Sequence, residues 1–327
     1  MRHGAGRRWP WPHQGLSLVE LLVALALGVV LSFGAMNLLL YSKRSYFEAE
    51  ELARLQENGR HALRYLSHEL TMAGYLATRL PGTQLEARES GSPCFDYLMA
   101  TATPVEHVND VSAAGRSSSG EWNLPDDCLL AGKHLAGTDL LLIRRTASVP
   151  VMAAGELGGA IDPQAIYLRG VAGAGAAHLQ RGGRDVVLGD ELWEYVPQVL
   201  FLRNYSIASG DGVPTLCRKR QGRSSNRMAP AQCLVEGIEN LQLEFGIDDD
   251  GDAQPDRFEA APDAAELAAA VAARIYLLVR SVHPVPGYVD DRSYVLGQTR
   301  VAPPLDAHYR RLLQTTVLLR NRGPVPS

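Results

Sequence analysis

Cysteine is scarce in this chain of 327 residues: there are four, at positions 94, 128, 217 and 233. None forms a CxxC pair and no histidines stand near them at zinc spacing, which argues against a structural zinc module. Positive charge is not in excess either. The 32 basic and 36 acidic residues leave a formal charge of −4, so no global basic field points to nucleic acid as a partner. Long apolar runs are lacking but for one, which excludes a polytopic transporter. The common catalytic signatures are also missing: there is no GxSxG, HExxH, Walker A or GxGxxG pattern, and no enzymatic activity is expected. Apolar residues reach 46% and charged ones 21%, the balance of a folded protein with a core.

The exception to these absences lies at the start of the chain. Residues 1–15 carry Arg2, Arg7 and Arg8 and no acid. From 21 to 41 there is no charged side chain. As a helix that run is about 31 Å long, close to one hydrocarbon thickness. The basic leader places itself on the cytoplasmic side and everything after Lys43 on the far side. A cleaved secretory signal after Ala24-Leu25-Ala26 and a plain signal anchor both leave Glu20 unexplained at the head of the apolar run. A carboxylate there costs about 2–3 kcal/mol unless paired.

Gly15-Leu16-Ser17-Leu18-Val19-Glu20-Leu21-Leu22 resembles the prepilin cleavage motif of type IV pilins and pseudopilins. The resemblance implies a cut between Gly15 and Leu16 by a prepilin peptidase and N-methylation of the new terminus. Glu20, the fifth mature residue, would then pair with the amine of a neighbouring subunit in a low-dielectric filament core. Leu16 departs from the phenylalanine more usual at the first mature position.

Over 42–77 the sequence keeps a helical period, with Leu52, Leu55, Gly59, Ala62, Leu63, Leu66, Leu70 and Ala73 at three- and four-residue steps. Gly74 and Pro81 mark its end. Leu55-Gln56-Glu57-Asn58-Gly59-Arg60-His61-Ala62-Leu63 and Met72-Ala73-Gly74-Tyr75 resemble the PilW-type minor pilins of type IV pilus assembly. So do Val235-Glu236-Gly237-Ile238-Glu239-Asn240-Leu241-Gln242, Arg274-Ile275-Tyr276-Leu277-Leu278-Val279-Arg280-Ser281 and Thr315-Thr316-Val317-Leu318-Leu319-Arg320-Asn321. The likeness is dense at both ends and sparse from 83 to 232. It implies an α+β, pilin-like fold: a leader (1–15), a transmembrane and filament-core helix (16–41), an amphipathic helix (42–77) and a periplasmic head (78–327). The expected partners are other minor pilins, the major pilin, the prepilin peptidase, the inner-membrane assembly platform and membrane lipid. A minor pseudopilin of type II secretion and a membrane-anchored calcium-dependent adhesin are the alternatives.

Within the head, 139–146, 165–171, 239–247, 274–282 and 312–320 read as strands, and Leu241-Gln242-Leu243-Glu244-Phe245 alternates as a half-exposed antiparallel strand does. The stretches 109–120, 170–183 and 206–232 read as separating loops, and 263–273 as a short helix. On the exported side of a membrane the four cysteines are expected in disulfides. Chain order suggests Cys94–Cys128 and Cys217–Cys233, one of three possible pairings.

One run carries metal chemistry. From Asp248 to Glu259 six of twelve residues are acids, falling at loop positions 1, 3, 5, 9 and 12 as in an EF-hand-like calcium loop. The expected Ca²⁺ ligands are Asp248, Asp250, Asp252, Gln254, Asp256 and Glu259. Ala253 departs from that pattern where glycine makes the sharp turn, and the bland alternative is an acidic hairpin tip. Residues 217–233 hold Arg218, Lys219, Arg220, Arg223 and Arg227 with no acid and read as a solvated basic loop. His61 and His68 share a helix face but lack a third ligand. Gly115-Arg116-Ser117-Ser118-Ser119-Gly120 lacks nucleophile-elbow spacing and reads as a flexible loop.

Overall fold

The computed structural model describes residues 15, 17–77, 86–87, 90–99, 103–112, 124–125, 127–129, 133–153, 161–171, 177–222 and 226–321. Its first element, α1, is a helix of 55 residues, Leu18–Met72. Ser17 and Glu20 start it reciprocally. The Ser17 hydroxyl accepts from the Val19 N–H at 3.3 Å, and Glu20 Oε2 accepts from the Ser17 N–H at 2.9 Å. The arrangement is a variant of the capping box, the serine taking the N–H of the second helical residue instead of the third, and two donors of the first turn find partners. Gly74, at φ 73°, ends the helical path four residues after Leu70; a Cβ there would stand 2.0 Å from the Asn321 carbonyl oxygen. The helix thus stops short of residue 77.

The chain divides into two compact units, one up to Glu50 and one from Glu51 onward. In the first, the apolar side chains of α1 are exposed, Leu31 and Phe33 each at 72%, and the helix is long and apolar enough to cross a membrane.

In the second unit α1 buries Glu51, Leu55, Gly59, Ala62, Leu66, Glu69 and Leu70, one face of a 3.6-residue period. The remaining elements, in chain order, begin with β1 (Glu86–Ala87), α2 (Pro93–Met99), β2 (Val105–Val108), β3 (Leu140–Ile143) and β4 (Ile166–Gly170). They continue with β5 (Ala177–Arg181), β6 (Glu191–Glu194), β7 (Gln198–Arg203), β8 (Thr215–Arg220), β9 (Gln232–Glu236) and β10 (Ile238–Ile247). The last are β11 (Arg257–Glu259), α3 (Ala264–Ala269), β12 (Ala270–Arg280), β13 (Tyr294–Leu296), β14 (Thr299–Val301) and β15 (Arg310–Leu318).

Two antiparallel sheets carry α1. One has the order β2-β3-β7-β8-β9 and the other β11-β10-β12-β15. Leu55, Ala62, Leu66 and Leu70 pack on Leu141, Ile143, Leu200, Leu202 and Leu216 of the first and on Leu241, Leu243, Ile275, Leu277 and Val279 of the second. The opposite face of the first sheet, with Leu140, Leu142, Val199 and Phe201, meets α2 and a third sheet ordered β1-β5-β4-β6. β3, an unbroken Leu-Leu-Leu-Ile run, is therefore buried on both faces, as such runs require. Only the β1–β5 pair is parallel among the described strands. The architecture is α+β, a long helix on mostly antiparallel sheet, as the sequence suggests.

Several local readings are corrected. The stretch 170–183 is not a simple loop: β5 lies in it, with His178 and Gln180 buried and hydrogen-bonded at 2.8 Å, so polar residues there conceal a strand. Likewise 206–232 contains β8, and its Lys219 is buried with its ammonium donating to the Asp127 carbonyl at 3.1 Å. Arg218, Lys219 and Arg220 of the basic segment thus lie on a strand and not in a solvated loop, whereas Arg227 is exposed between β8 and β9 and Arg223 lies outside the described residues. The 263–273 segment is helical only to Ala269 and then enters β12. Asp263 caps that helix with Glu266 as its reciprocal partner.

Candidate functional site

Gly15 is exposed, while Leu16 and the leader 1–14 lie outside the described residues. Glu20 is exposed on α1 and its carboxylate closes the capping box described above. The S-x-x-E spacing of Ser17-Leu18-Val19-Glu20 carries this second role and was legible in the sequence.

Where the second unit begins, Glu51 is buried at 2% exposure. Its Oε1 is 2.9 Å from His283 Nδ1, and its Oε2 accepts from the His283 backbone N–H at 3.1 Å. Burial pushes the Glu51 carboxyl up, but the His283 bonds and charge, with Arg54, pull it below its ordinary value. Farther along α1, Glu69 receives a two-pronged grip from Arg145, at 2.7 and 2.9 Å. Both pairs fix the helix to segments distant in sequence.

A denser ionic cluster holds the connection between β12 and β15. Arg310 donates to Glu239 at 2.5 and 2.8 Å and to Asp306 at 2.6 and 2.7 Å. The Asp306 carboxyl is drawn to about 2, chiefly by its bond from Arg310. Asp290, fully buried, accepts from Tyr294 at 2.6 Å and Arg292 at 2.9 Å. These residues satisfy one another and leave no open chemistry.

The cysteines are paired as Cys94–Cys128 and Cys217–Cys233. Cys94, Cys128 and Cys217 are buried in the core between α2 and the first sheet, and Cys233 packs against it.

In the acidic loop, oxygens of Asp248, Asp250 and Asp256 lie within 4.8 Å of one another. The other expected ligands are engaged elsewhere: Gln254 donates to Asp252 at 3.0 Å, and Arg257 donates to Glu259 at 3.3 Å. Arg257 also reaches Asp249 at 3.0 Å and Glu266 at 2.8 Å. Asp248 receives the N–H groups of Gly251 at 2.6 Å and Ala253 at 3.0 Å, and Ala253 takes the left-handed φ of 67° that glycine usually fills. His61 and His68 are exposed, and 115–120 lies outside the described residues.

A helix able to cross a membrane, running on into a stretch that packs on antiparallel sheets, is the α+β arrangement of pilin-like proteins. Residues 204–321, from the end of β7 through β15, match the family model PilW, described as Type IV Pilus-assembly protein W. The match supports type IV pilus assembly as the process this chain serves. No curated protein matches the chain, and no solved structure does.

Proposed function

We propose that the chain is a minor pilin that acts in type IV pilus assembly. It is cut between Gly15 and Leu16 by a prepilin peptidase, N-methylated, and held in the inner membrane by residues 16–41 with its head in the periplasm. From there it joins an initiating, tip-proximal complex with other minor pilins and the major pilin, on the inner-membrane assembly platform. Its role is assembly, not catalysis. The observation that carries this reading is the combination in one chain of the PilW match at 204–321 with an apolar helix that continues into a domain-packing one. The Gly15-to-Glu20 motif supplies the processing step.

The test is the amino-terminal residue of protein recovered from native membranes, read by intact-mass and terminal-peptide mass spectrometry. N-methylated Leu16 is the expected result. An intact Met1 or a start at Leu27 overturns the reading.

The acidic loop is proposed to bind a structural Ca²⁺ through Asp248, Asp250 and Asp256, which supply three of the six to eight oxygens that Ca²⁺ takes. Calorimetric titration of the full chain with Ca²⁺ should give one site, lost in Asp250→Asn; no heat in the unsubstituted chain refutes it.

A further inference from the structure

Arg218 and Arg220 stand two positions apart on β8 and so leave the strand on the same face. Gln198 of β7 lies directly across from Arg220 in the ladder. Tyr65 of α1 donates its hydroxyl to Gln198 Oε1 at 2.9 Å, and Arg220 Nε donates to the same oxygen at 3.4 Å. Arg218 donates to the Tyr65 oxygen at 3.0 Å and, through Nε and Nη2, to Gln232 Oε1 at 3.0 and 2.9 Å.

The charges here do not balance. The carboxylate beside this group is Glu69, and Arg145 occupies both its oxygens. Among the described residues neither Arg218 nor Arg220 pairs with an acid, and Arg220 donates only through Nε, its two Nη groups having no hydrogen-bond partner there. Arg220 is half-buried; its burial and the Arg218 charge, with Arg145 adding to it, act against its charged form more than Tyr65 and Glu69 favour it. Gln198 is fully buried and its Nε2 also lacks a partner. Turning that amide offers no relief, because its oxygen already accepts two donors. A half-buried guanidinium next to like charge, held at Nε by Gln198, is an arrangement that an incoming anion would complete at the Nη groups.

We propose that Arg220, with Arg218 and Gln198 around it, is a docking site for one carboxylate side chain of a partner polypeptide. A single free guanidinium fork matches a single planar carboxylate. A nucleic acid would need a track of exposed cations. Here Lys219 is buried against Asp127, and the Arg218 donors are taken by Tyr65 and Gln232. The site rests on these side chains alone and stands whether or not the pilus reading holds.

The experiment titrates the full chain in detergent micelles at low ionic strength with N-acetylated tetraglutamate. Inorganic phosphate and a single-stranded oligonucleotide serve as separate arms. Tetraglutamate should bind, and Arg220→Gln should weaken it about tenfold or more, the loss of a charge-assisted pair, with Arg220→Lys between the two. Without ligand, the melting midpoint of Arg220→Gln should equal or exceed that of the unsubstituted chain, since a repelled charge is removed. A clearly lower midpoint makes Arg220 a structural residue and overturns the proposal. So does absent tetraglutamate binding, binding indifferent to Arg220→Gln, or tighter binding of phosphate or oligonucleotide.

Discussion

The approach of α1 to the second sheet turns on Gly59. A Cβ built there would stand 2.4 Å from Leu313 Cδ1 of β15 and 3.2 Å from Val279 Cγ2 of β12. Gly59→Ala therefore pits two effects against each other. Removing a glycine from a helix interior favours folding by about 1 kcal/mol. Forcing a methyl into a filled contact costs about 1–3 kcal/mol. Leu313 can yield at its flexible tip, but Val279 is fully buried and stiff at χ1, so the cost falls near the middle of that range. The net expectation is a loss of about 1 kcal/mol, or a midpoint lowered by about 2–4 °C for a domain of this size. Thermal and urea unfolding of the full chain, followed by tryptophan fluorescence, reads it. Val279→Ala in the same cycle removes the methyl that cannot yield. In that background Gly59→Ala should stabilise, giving a coupling of about 2 kcal/mol between the sites. If Gly59→Ala stabilises the otherwise unsubstituted chain, or if the coupling is near zero, the close-approach argument is wrong.

Glu69→Ala should cost about 3–5 kcal/mol, because it strands the largely buried Arg145 guanidinium among the remaining cations; an unchanged urea midpoint would show that the pair carries no load. Acid should also loosen the second unit. With Asp306 held to about 2 by Arg310 and Glu51 lowered, the unfolded chain binds more protons than the folded one as pH falls past the ordinary carboxylate range. The stability these groups contribute is complete above about pH 5 and is lost progressively as pH falls through about 4 toward 2. Urea midpoints at descending pH test this, and a profile flat to pH 3 refutes it.

What the sequence discloses about the fold follows from which physical signal each segment emits. β10 and β12 are long, apolar and rich in branched residues, and their positions are readable to within a few residues. β3 announces itself as an apolar run. β5 and β8 do not, because both carry buried polar residues whose partners composition does not name: on β5 His178 meets Gln180 and Gln180 donates to the Gly182 and Arg184 carbonyls, while Lys219 of β8 reaches Asp127. Composition records the polarity and not the partner. The same holds for the buried charges. Glu51 and Glu69 sit on α1 at positions that composition assigns to a solvated face, yet both are buried because His283 and Arg145 meet them there. The partner of a buried charge is a tertiary fact.

Glu20 shows the reverse situation, in which a sequence signal supports two physical accounts at once. An acid heading an apolar run invites a partner elsewhere, and a neighbour's terminal amine in a filament would provide one. The capping box provides another within the same turn, since Glu20 already accepts the Ser17 N–H. An N-cap interaction of this kind is worth about 0.5–2 kcal/mol, comparable with the cost of placing a carboxylate near the membrane edge. Glu20 alone therefore does not require a second subunit. The pilin reading draws its strength from features that a capping box leaves unexplained: a glycine just before the helix, a basic leader before that, exposed apolar side chains along α1, and a PilW match at the other end of the chain. Cleavage after Gly15 would leave Ser17 as the second residue of the mature chain, with its N–H still available to Glu20. The cap and the intersubunit pair would then compete for one carboxylate. Ser17→Ala removes only the hydroxyl that accepts from Val19, leaving the Glu20 bond to the Ser17 backbone and the route to a neighbouring amine intact. If Glu20 matters only as a cap, Glu20→Gln, whose amide oxygen still accepts the Ser17 N–H, should reduce pilus incorporation no more than Ser17→Ala does; if it pairs across subunits, the Glu20 change alone should abolish it.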